Sequence, residues 1–222
     1  MQALKINDYR NWTIDDHEVI KRILGGEKEL FEILLRRNNQ KLYRVVRSYL
    51  KDENEVSDIM QNTYLRAYQS LYTFNFKSQF STWLIRIAIN EALRRIESYK
   101  RNLFTHIEAH PDNKKIVSQT DSEYSNPEEK LIRKEAGYLL EKAIDKLEAA
   151  YSTPYILFEL EGMKISEIAE VLNLSTSNIK VRIHRARQML KEILYGLSND
   201  RSIFEFGSSR CDNMVEQVMM LL

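Results

Sequence analysis

Residues 58–95 read DIMQNTYLRAYQSLYTFNFKSQFSTWLIRIAINEALRR, and this stretch organises the chain. Met60, Tyr64, Ala67, Tyr68 and Leu71 recur at helical spacing and predict a helix over about Asp58–Tyr72 with those residues towards a core. Asp58, Gln61, Asn62, Leu65, Arg66 and Gln69 fall near the opposite face, where a leucine among polar residues suggests a partner surface. Residues 73–80 form a short aromatic loop, with Phe74, Phe76 and Phe80 interleaved with Lys77, Ser78 and Gln79. A second helix follows, carrying Trp83, Arg86, Asn90, Arg94 and Arg95. Rings, amides and cations in alternation suit single-stranded nucleic acid: rings stack on bases, amides read base edges, and cations hold phosphates. Each ring taken alone is as well explained by core packing.

Composition narrows the class. The chain has 222 residues, enough for one or two packed domains. Its 6 glycines and 3 prolines are few, which argues for an all-α protein. A net charge of +1 leaves no global field for nucleic acid, so any DNA affinity must come from local patches or from a larger assembly. One cysteine excludes an internal disulfide framework and fits a reducing, cytoplasmic setting. No apolar run is long enough for membrane insertion, and Met1–Trp12 lacks the apolar core of a secretion signal. His106 and His110 lack further ligands, so no metal, cofactor or catalytic residue is assigned.

Towards the amino end, Thr13 or Asp15 is positioned to cap a short helix holding Val19, Ile20, Ile23 and Leu24, with Gly25-Gly26 ending it. A long helix is predicted from Glu27, its apolar stripe running from Leu30 to Leu50 and its solvated face holding Arg36, Arg37, Lys41, Arg44 and Arg47. Lys51–Asn54 reads as a turn. Beyond Arg95 periodicity fades, and Glu97–Pro127 reads as a linker. Pro127-Glu128-Glu129 opens another helix with Leu131, Ala136, Leu139, Leu140, Ala143, Ile144 and Leu147 on its apolar face. A short helix is expected from about Thr153, buried through Tyr155, Ile156, Phe158 and Leu160 and closed by Gly162.

A second motif occupies residues 164–194, KISEIAEVLNLSTSNIKVRIHRARQMLKEIL. Ile165, Ile168, Ala169 and Leu172 make one helix face, Asn173 suits a left-handed turn, and Ser175 caps a second helix buried through Ile179, Ile183, Ala186 and Leu190. This is a helix-turn-helix. Its second helix offers Ser175, Thr176, Ser177, Asn178, Lys180, Arg182, Arg185 and Arg187 to a major groove. The tail from Asp200, with Phe204, Phe206, Met214, Val215, Val218, Met219 and Leu222, fits an aromatic strap and an amphipathic helix, and Cys211 reads as a small apolar residue.

The segments Asp58–Gln61, Tyr64–Ala67, Phe74 and Phe80–Ala92 resemble region 2 of the sigma-70 family in its extracytoplasmic-function (ECF) form. Ser166–Leu172, Ile179-Lys180 and Arg185–Arg187 resemble region 4 of the same family. Two departures stand out: Leu147-Glu148 and Tyr151-Ser152 replace the family's usual Leu-Pro and Tyr-Arg, and Val181 stands where a serine is frequent.

The resemblance implies two helical domains, region 2 over 13–100 and region 4 over 128–196, joined by a linker over 101–127 and followed by an extension over 197–222. It implies that Asp58, Gln61, Asn62, Leu65, Arg66 and Gln69 bind RNA polymerase core at the β′ clamp, with region 4 reaching the β flap. Phe74, Phe76, Lys77, Ser78, Gln79, Phe80, Trp83, Arg86, Asn90, Arg94 and Arg95 would take the −10 element, and Ser175, Thr176, Ser177, Asn178, Lys180, Arg182, Arg185 and Arg187 the −35 element. An anti-sigma factor is the implied regulator, with Asp121 and Glu123 of the linker as nucleic-acid mimics. The resemblance implies no enzyme activity and no small-molecule substrate. The alternatives are a helix-turn-helix regulator acting without replacing sigma, and a sigma mimic that only sequesters a partner.

Overall fold

The computed structural model describes residues 14–103 and 127–198, together with Met219. The readings placed on the amino-terminal arm with Thr13, on His106, His110, Asp121 and Glu123, and on Cys211 and most of the tail lie outside the described residues, as does the side chain of Leu131. The protein is all-α, with no strand among the described residues.

Helix α1 (Asp16–Leu24) has acids in its first turn and bases in its last, as the helix dipole favours. Asp15 stands at the N-cap position but makes no capping bond through its side chain. Gly26, at φ +112, turns the chain as only glycine does easily. The long helix α2 (Phe31–Tyr49) starts four residues later than expected, because a single 3₁₀ turn over Lys28–Leu30 precedes it.

Helix α3 (Glu53–Gln69) starts five residues earlier than expected. Asp52 is its cap: the carboxylate accepts hydrogen bonds from the backbone N–H groups of Asn54 and Glu55 at 3.0 and 3.1 Å. The stretch read as a turn is therefore a helix start. Helix α4 (Phe80–Leu103) runs on beyond Arg95, past where the sequence pattern faded.

These four helices enclose one core. Leu34, Leu42, Val46, Ile59, Ala67, Phe80, Leu84 and Ala88 are all buried in it. Each large side chain so buried contributes about 1.5–3 kcal/mol. The polar groups inside are satisfied: Asn38 donates to the Leu34 carbonyl at 2.8 Å, and the Tyr64 hydroxyl donates to the Leu35 carbonyl at 3.1 Å and lies 2.8 Å from Asn39 Oδ1. Burial pushes the Tyr64 phenol pKa up. Tyr68, expected in this core, is 40% exposed, although its ring packs edge-on against Phe31.

Helix α5 (Pro127–Asp145) packs through its last turn and the residues just after it, with Ala143 and Leu147 buried against α8 (Thr176–Ser198). Its expected apolar face is only half used, since Ala136 and Leu139 are exposed. Helix α6 (Ala149–Tyr155) begins four residues before the expected Thr153 and contains Pro154. It continues as a π-helical turn over Ile156–Leu160, closed by a bond from the Glu161 N–H to the Ile156 carbonyl. A proline within the helix removes one N–H donor, and the wider turn is where the ladder adjusts. Leu157 takes the buried position, and Leu160, expected inside, is 41% exposed.

Helix α7 (Ile165–Leu172) ends at Asn173, which adopts φ 52°, ψ 48° as expected. The Asn178 N–H then donates to Ser175 Oγ at 3.2 Å, capping α8. The face Ile179, Ile183, Ala186 and Leu190 is buried as the spacing predicts.

A third apolar cluster joins the two halves. Val45 of α2 and Ile85 and Ile89 of α4 pack with Leu157, Met163, Ile168 and Ile183. The basic face of α2 is accordingly not simply solvated. Arg44 pairs with Glu161 at 2.8 Å, and Arg47 with Asp145 at 2.9 Å, both across this junction. Arg37 pairs with Asp16 within the first half at 2.6 Å.

Candidate nucleic-acid and partner interfaces

Three surfaces carry the predicted site residues. On α3, the buried positions Val56, Ile59, Thr63, Tyr64 and Ala67 turn the rest of the helix outward. Asp58, Gln61, Asn62, Leu65, Arg66 and Gln69 are all exposed, so the predicted partner face is a continuous solvent-facing surface. Leu65, at 54% exposure, is its apolar centre.

A groove between α3 and α4 borders this face. At its base lies Glu91, a carboxylate with only 10% of its side chain accessible. It accepts a hydrogen bond from Arg94 at 3.1 Å and forms an ion pair with Arg66 at 3.1 Å. Arg95 pairs with Glu55 at 3.1 Å on the same rim. Arg66, predicted for the partner surface, and Arg94, predicted for DNA, are thus held by one buried acid. Sequence reading missed Glu91, because nothing in linear order marks an acid as the meeting point of two cations 28 residues apart.

The second surface is the aromatic loop. Phe74 and Phe80 are buried, at 4% and 1% exposure. Their centroids lie 6.0 Å apart, and Phe74 lies 5.5 Å from Trp83. Both rings face into the packed loop and form the floor that holds it. Phe76 sits at φ +60°, unusual for a bulky residue, and its ring packs against Phe74 at 5.0 Å and His17 at 5.2 Å. The Asn75 side chain closes the turn by accepting from the Lys77 N–H at 3.2 Å.

Above this floor Lys77 and Gln79 are exposed, and Phe76, Ser78 and Trp83 are half-buried. Arg86 and Asn90, one turn apart on α4, are exposed on the same side as Trp83 at i, i+3 and i+7. The arrangement offers two partly open rings, two amides and two cations along one edge, the equipment for splayed bases on a phosphate backbone.

The third surface is the amino half of α8. Ser175, Thr176, Ser177, Asn178, Lys180 and Arg185 are exposed. Arg182 and Arg187 turn back onto the protein. Arg182 donates to Asn178 Oδ1 at 2.7 Å and to the Ala150 carbonyl at 3.3 Å. Arg187 is paired with Glu159 and lies over the Phe158 ring. The eight predicted residues therefore divide: Lys180 and Arg185 carry no ion pair among the described residues, whereas Arg182 and Arg187 brace the helix. Val181, 50% exposed, and His184, also exposed, lie on the stripe of Ser177 and Lys180. They belong to the outward face and were not selected from the sequence, although the i, i+4, i+7 spacing from Ser177 marks them.

Both halves of the chain match known families. Residues 34–102 match Sigma-70 region 2, and residues 138–190 match Sigma-70, region 4. The ECF RNA polymerase sigma factor SigW of Bacillus subtilis is 30% identical over 179 residues, covering 80% of this chain and 96% of that protein. The ECF RNA polymerase sigma-E factor of Haemophilus influenzae is 28% identical over 187 residues, covering 80% and 94%. Two solved structures share the fold. CnrH in complex with the cytosolic domain of CnrY has a TM-score of 0.54 at 24% identity, covering 82% of this chain and 97% of that one. The sigma factor RpoE of Bartonella quintana, in complex with the anti-sigma factor NepR, has a TM-score of 0.57 at 22% identity, covering 77% and 98%. With both conserved regions present in order, the chain belongs to the sigma-70 family, as an ECF RNA polymerase sigma factor.

Proposed function

We propose that this chain binds bacterial RNA polymerase core, directs it to promoters with −35 and −10 elements, and helps open the duplex at −10. It acts on cytoplasmic polymerase and performs no chemistry of its own. The exposed face of α3, from Asp58 to Gln69, docks on the β′ clamp. Lys77, Gln79, Trp83, Arg86 and Asn90, with Phe76 and Ser78, take the unpaired −10 strand, and Phe74 and Phe80 support them. Arg94 and Arg95 line the passage between the two surfaces. Lys180, Arg185 and the first turn of α8 read the −35 duplex, and the same half of the chain contacts the β flap. Residues 13–100 and 128–196 are the two working domains, with 101–127 joining them and 197–222 appended. An anti-sigma factor of the kind named for the structural relatives regulates the protein.

The observation that carries this reading is the pairing of both conserved regions in one chain with helices that turn the relevant polar residues to solvent. Energetics fit a subunit rather than an autonomous opener. Flipping a base costs a few kcal/mol, and stacking it on a ring returns about 1–3 kcal/mol. Melting is then nearly balanced and is completed by polymerase. A net charge of +1 likewise leaves the free protein with little general DNA affinity.

The test is in-vitro transcription with purified core polymerase and a promoter library. Transcripts that appear only with this protein and share two spaced elements are expected. Tight, specific duplex binding by the free protein, with no new transcripts, would instead identify a helix-turn-helix regulator that does not replace sigma.

A further inference from the structure

One residue of the aromatic loop holds a backbone conformation that its side chain disfavours. Phe76 sits at φ +60°, in the left-handed region. Among the described residues the other non-glycine with positive φ is Asn173, whose short amide tolerates it. A bulky residue stays there only where its surroundings over-determine it, and such residues gather at ligand clamps. Three groups act on Phe76. Asn75 Oδ1 accepts from the Lys77 N–H at 3.2 Å and closes the turn. The Phe74 ring meets the Phe76 ring at 5.0 Å. The His17 imidazole meets it at 5.2 Å with the ring planes at 84°, an edge-to-face contact.

Asn75 and Phe74 belong to the loop, but His17 comes from the first turn of α1. That turn is firmly mounted. Arg37 of α2 donates to Asp16 Oδ1 at 2.6 Å and to the Ile14 carbonyl at 3.0 Å, which pins the chain just before His17. Val19 and Ile20, just after it, are buried. Helix α1 also packs on the 3₁₀ turn Leu71–Thr73 that leads into the loop. His17 Nδ1 lies 3.7 Å from the Asp15 carboxylate, too far for a hydrogen bond, so the imidazole works through its ring against Phe76 and, at 6.3 Å, Phe74. The Phe76 ring is half-buried, while Asn75 and Lys77 beside it are exposed. A ring that is fixed yet partly open is a stacking platform, and its aim is set by whatever clamps it.

We propose that His17 is a positioning residue for the −10 strand: from α1 it clamps Phe76 in its left-handed turn, so that one unpaired base meets a ring already in place. The proposal rests on the −10 capture proposed above. It makes α1 part of that site without requiring any contact from α1 to DNA.

The test uses holoenzyme made from core polymerase and the full chain, with single strands carrying the −10 element of a promoter that the transcription library selects. Each strand has 2-aminopurine at one successive position, and stacking of that base on a ring quenches its fluorescence. Phe76→Ala marks the position that stacks on this ring. His17→Ala is expected to lose quenching at that same position and to weaken strand binding about three- to tenfold, the range one aromatic pair supplies. His17→Phe should restore both, because the ring and not the titrating nitrogen is what is needed. In the Phe76→Ala background, His17→Ala should cause no further loss, since it acts through that ring. Affinity for core should be unchanged in both His17 variants. Unchanged quenching in His17→Ala, no rescue by His17→Phe, or an equal loss without Phe76 would each overturn the positioning role. A parallel loss of core affinity would overturn it too, because it would show general damage to the first core. If the parent holoenzyme does not prefer the −10 strand to a scrambled one, the −10 capture itself fails, and this proposal with it.

Discussion

At the scale of single residues, side-chain type was a weaker guide to role than the partner each side chain finds. Arg185 and Arg187 look equivalent in sequence, yet Arg187 is held by Glu159 while Arg185 is exposed. Removing a phosphate contact lowers the log–log salt slope of DNA binding by about one. Arg185→Gln is therefore expected to lower the slope for −35 duplex binding by the holoenzyme, measured by fluorescence anisotropy, and Arg187→Gln to leave it unchanged. Tyr64 shows the same dependence on context. Its hydroxyl donates to the Leu35 carbonyl inside the first core, so Tyr64→Phe should cost about 1 kcal/mol in urea unfolding. Burial raises the pKa of Tyr64, and it is the first cause for Tyr43, Tyr49 and Tyr155 as well. The neutral phenol is the form the fold holds. Its stability contribution is thus complete below the unfolded value near pH 10 and is lost as pH rises beyond it. Thermal unfolding followed across pH 9–11.5 should show the melting temperature falling only on the alkaline side of about 10.

At the scale of elements, helix ends were decided by caps that the periodicity of apolar residues does not report. Asp52 satisfies two N–H groups at the start of α3, the helix that carries the exposed face from Asp58 to Gln69. Asp52→Ala should cost about 1 kcal/mol of stability by chemical denaturation, without moving the exposed face from Asp58 to Gln69. Asn173 closes α7 in the left-handed region, where a residue with a Cβ pays roughly 1–2 kcal/mol and asparagine is among the better tolerated. Asn173→Ala is expected to destabilise the helix-turn-helix, and Asn173→Gly to be close to neutral in the same measurement. The strained Phe76 of the aromatic loop has no equivalent relief by sequence alone. It is held by the rings of Phe74 and His17, which brings α1 into the support of the loop.

At the scale of the whole molecule, the two conserved regions fold onto each other through a shared apolar cluster. Ile89 lies in that cluster and not in the first core, so a charge there attacks the junction selectively. The parent protein is expected to unfold in one calorimetric transition. Ile89→Asp should resolve it into two while far-UV circular dichroism keeps its helical amplitude. A single transition at a uniformly lower temperature would mean that the junction is integral to both cores.

The amino-acid sequence by itself determined the helical class, the outward face of α3, the helix-turn-helix and the family, because each is written in local periodicity, capping chemistry and motif order. Asp58, Gln61 and Leu65 could be placed together from spacing alone, as could Ile179, Ile183 and Ala186. Only the tertiary structure decided which cations are free and which are braced, since an ion pair such as Arg187 with Glu159 or Arg66 with Glu91 joins residues far apart in the chain. It also decided that Phe74 and Phe80 are buried, because burial depends on what packs above a ring. Val45, Ile85 and Ile89 are the clearest case. Helical periodicity marks them as apolar residues facing some core, but whether that core is their own domain's or one shared with its neighbour is set by long-range packing, which no local pattern contains.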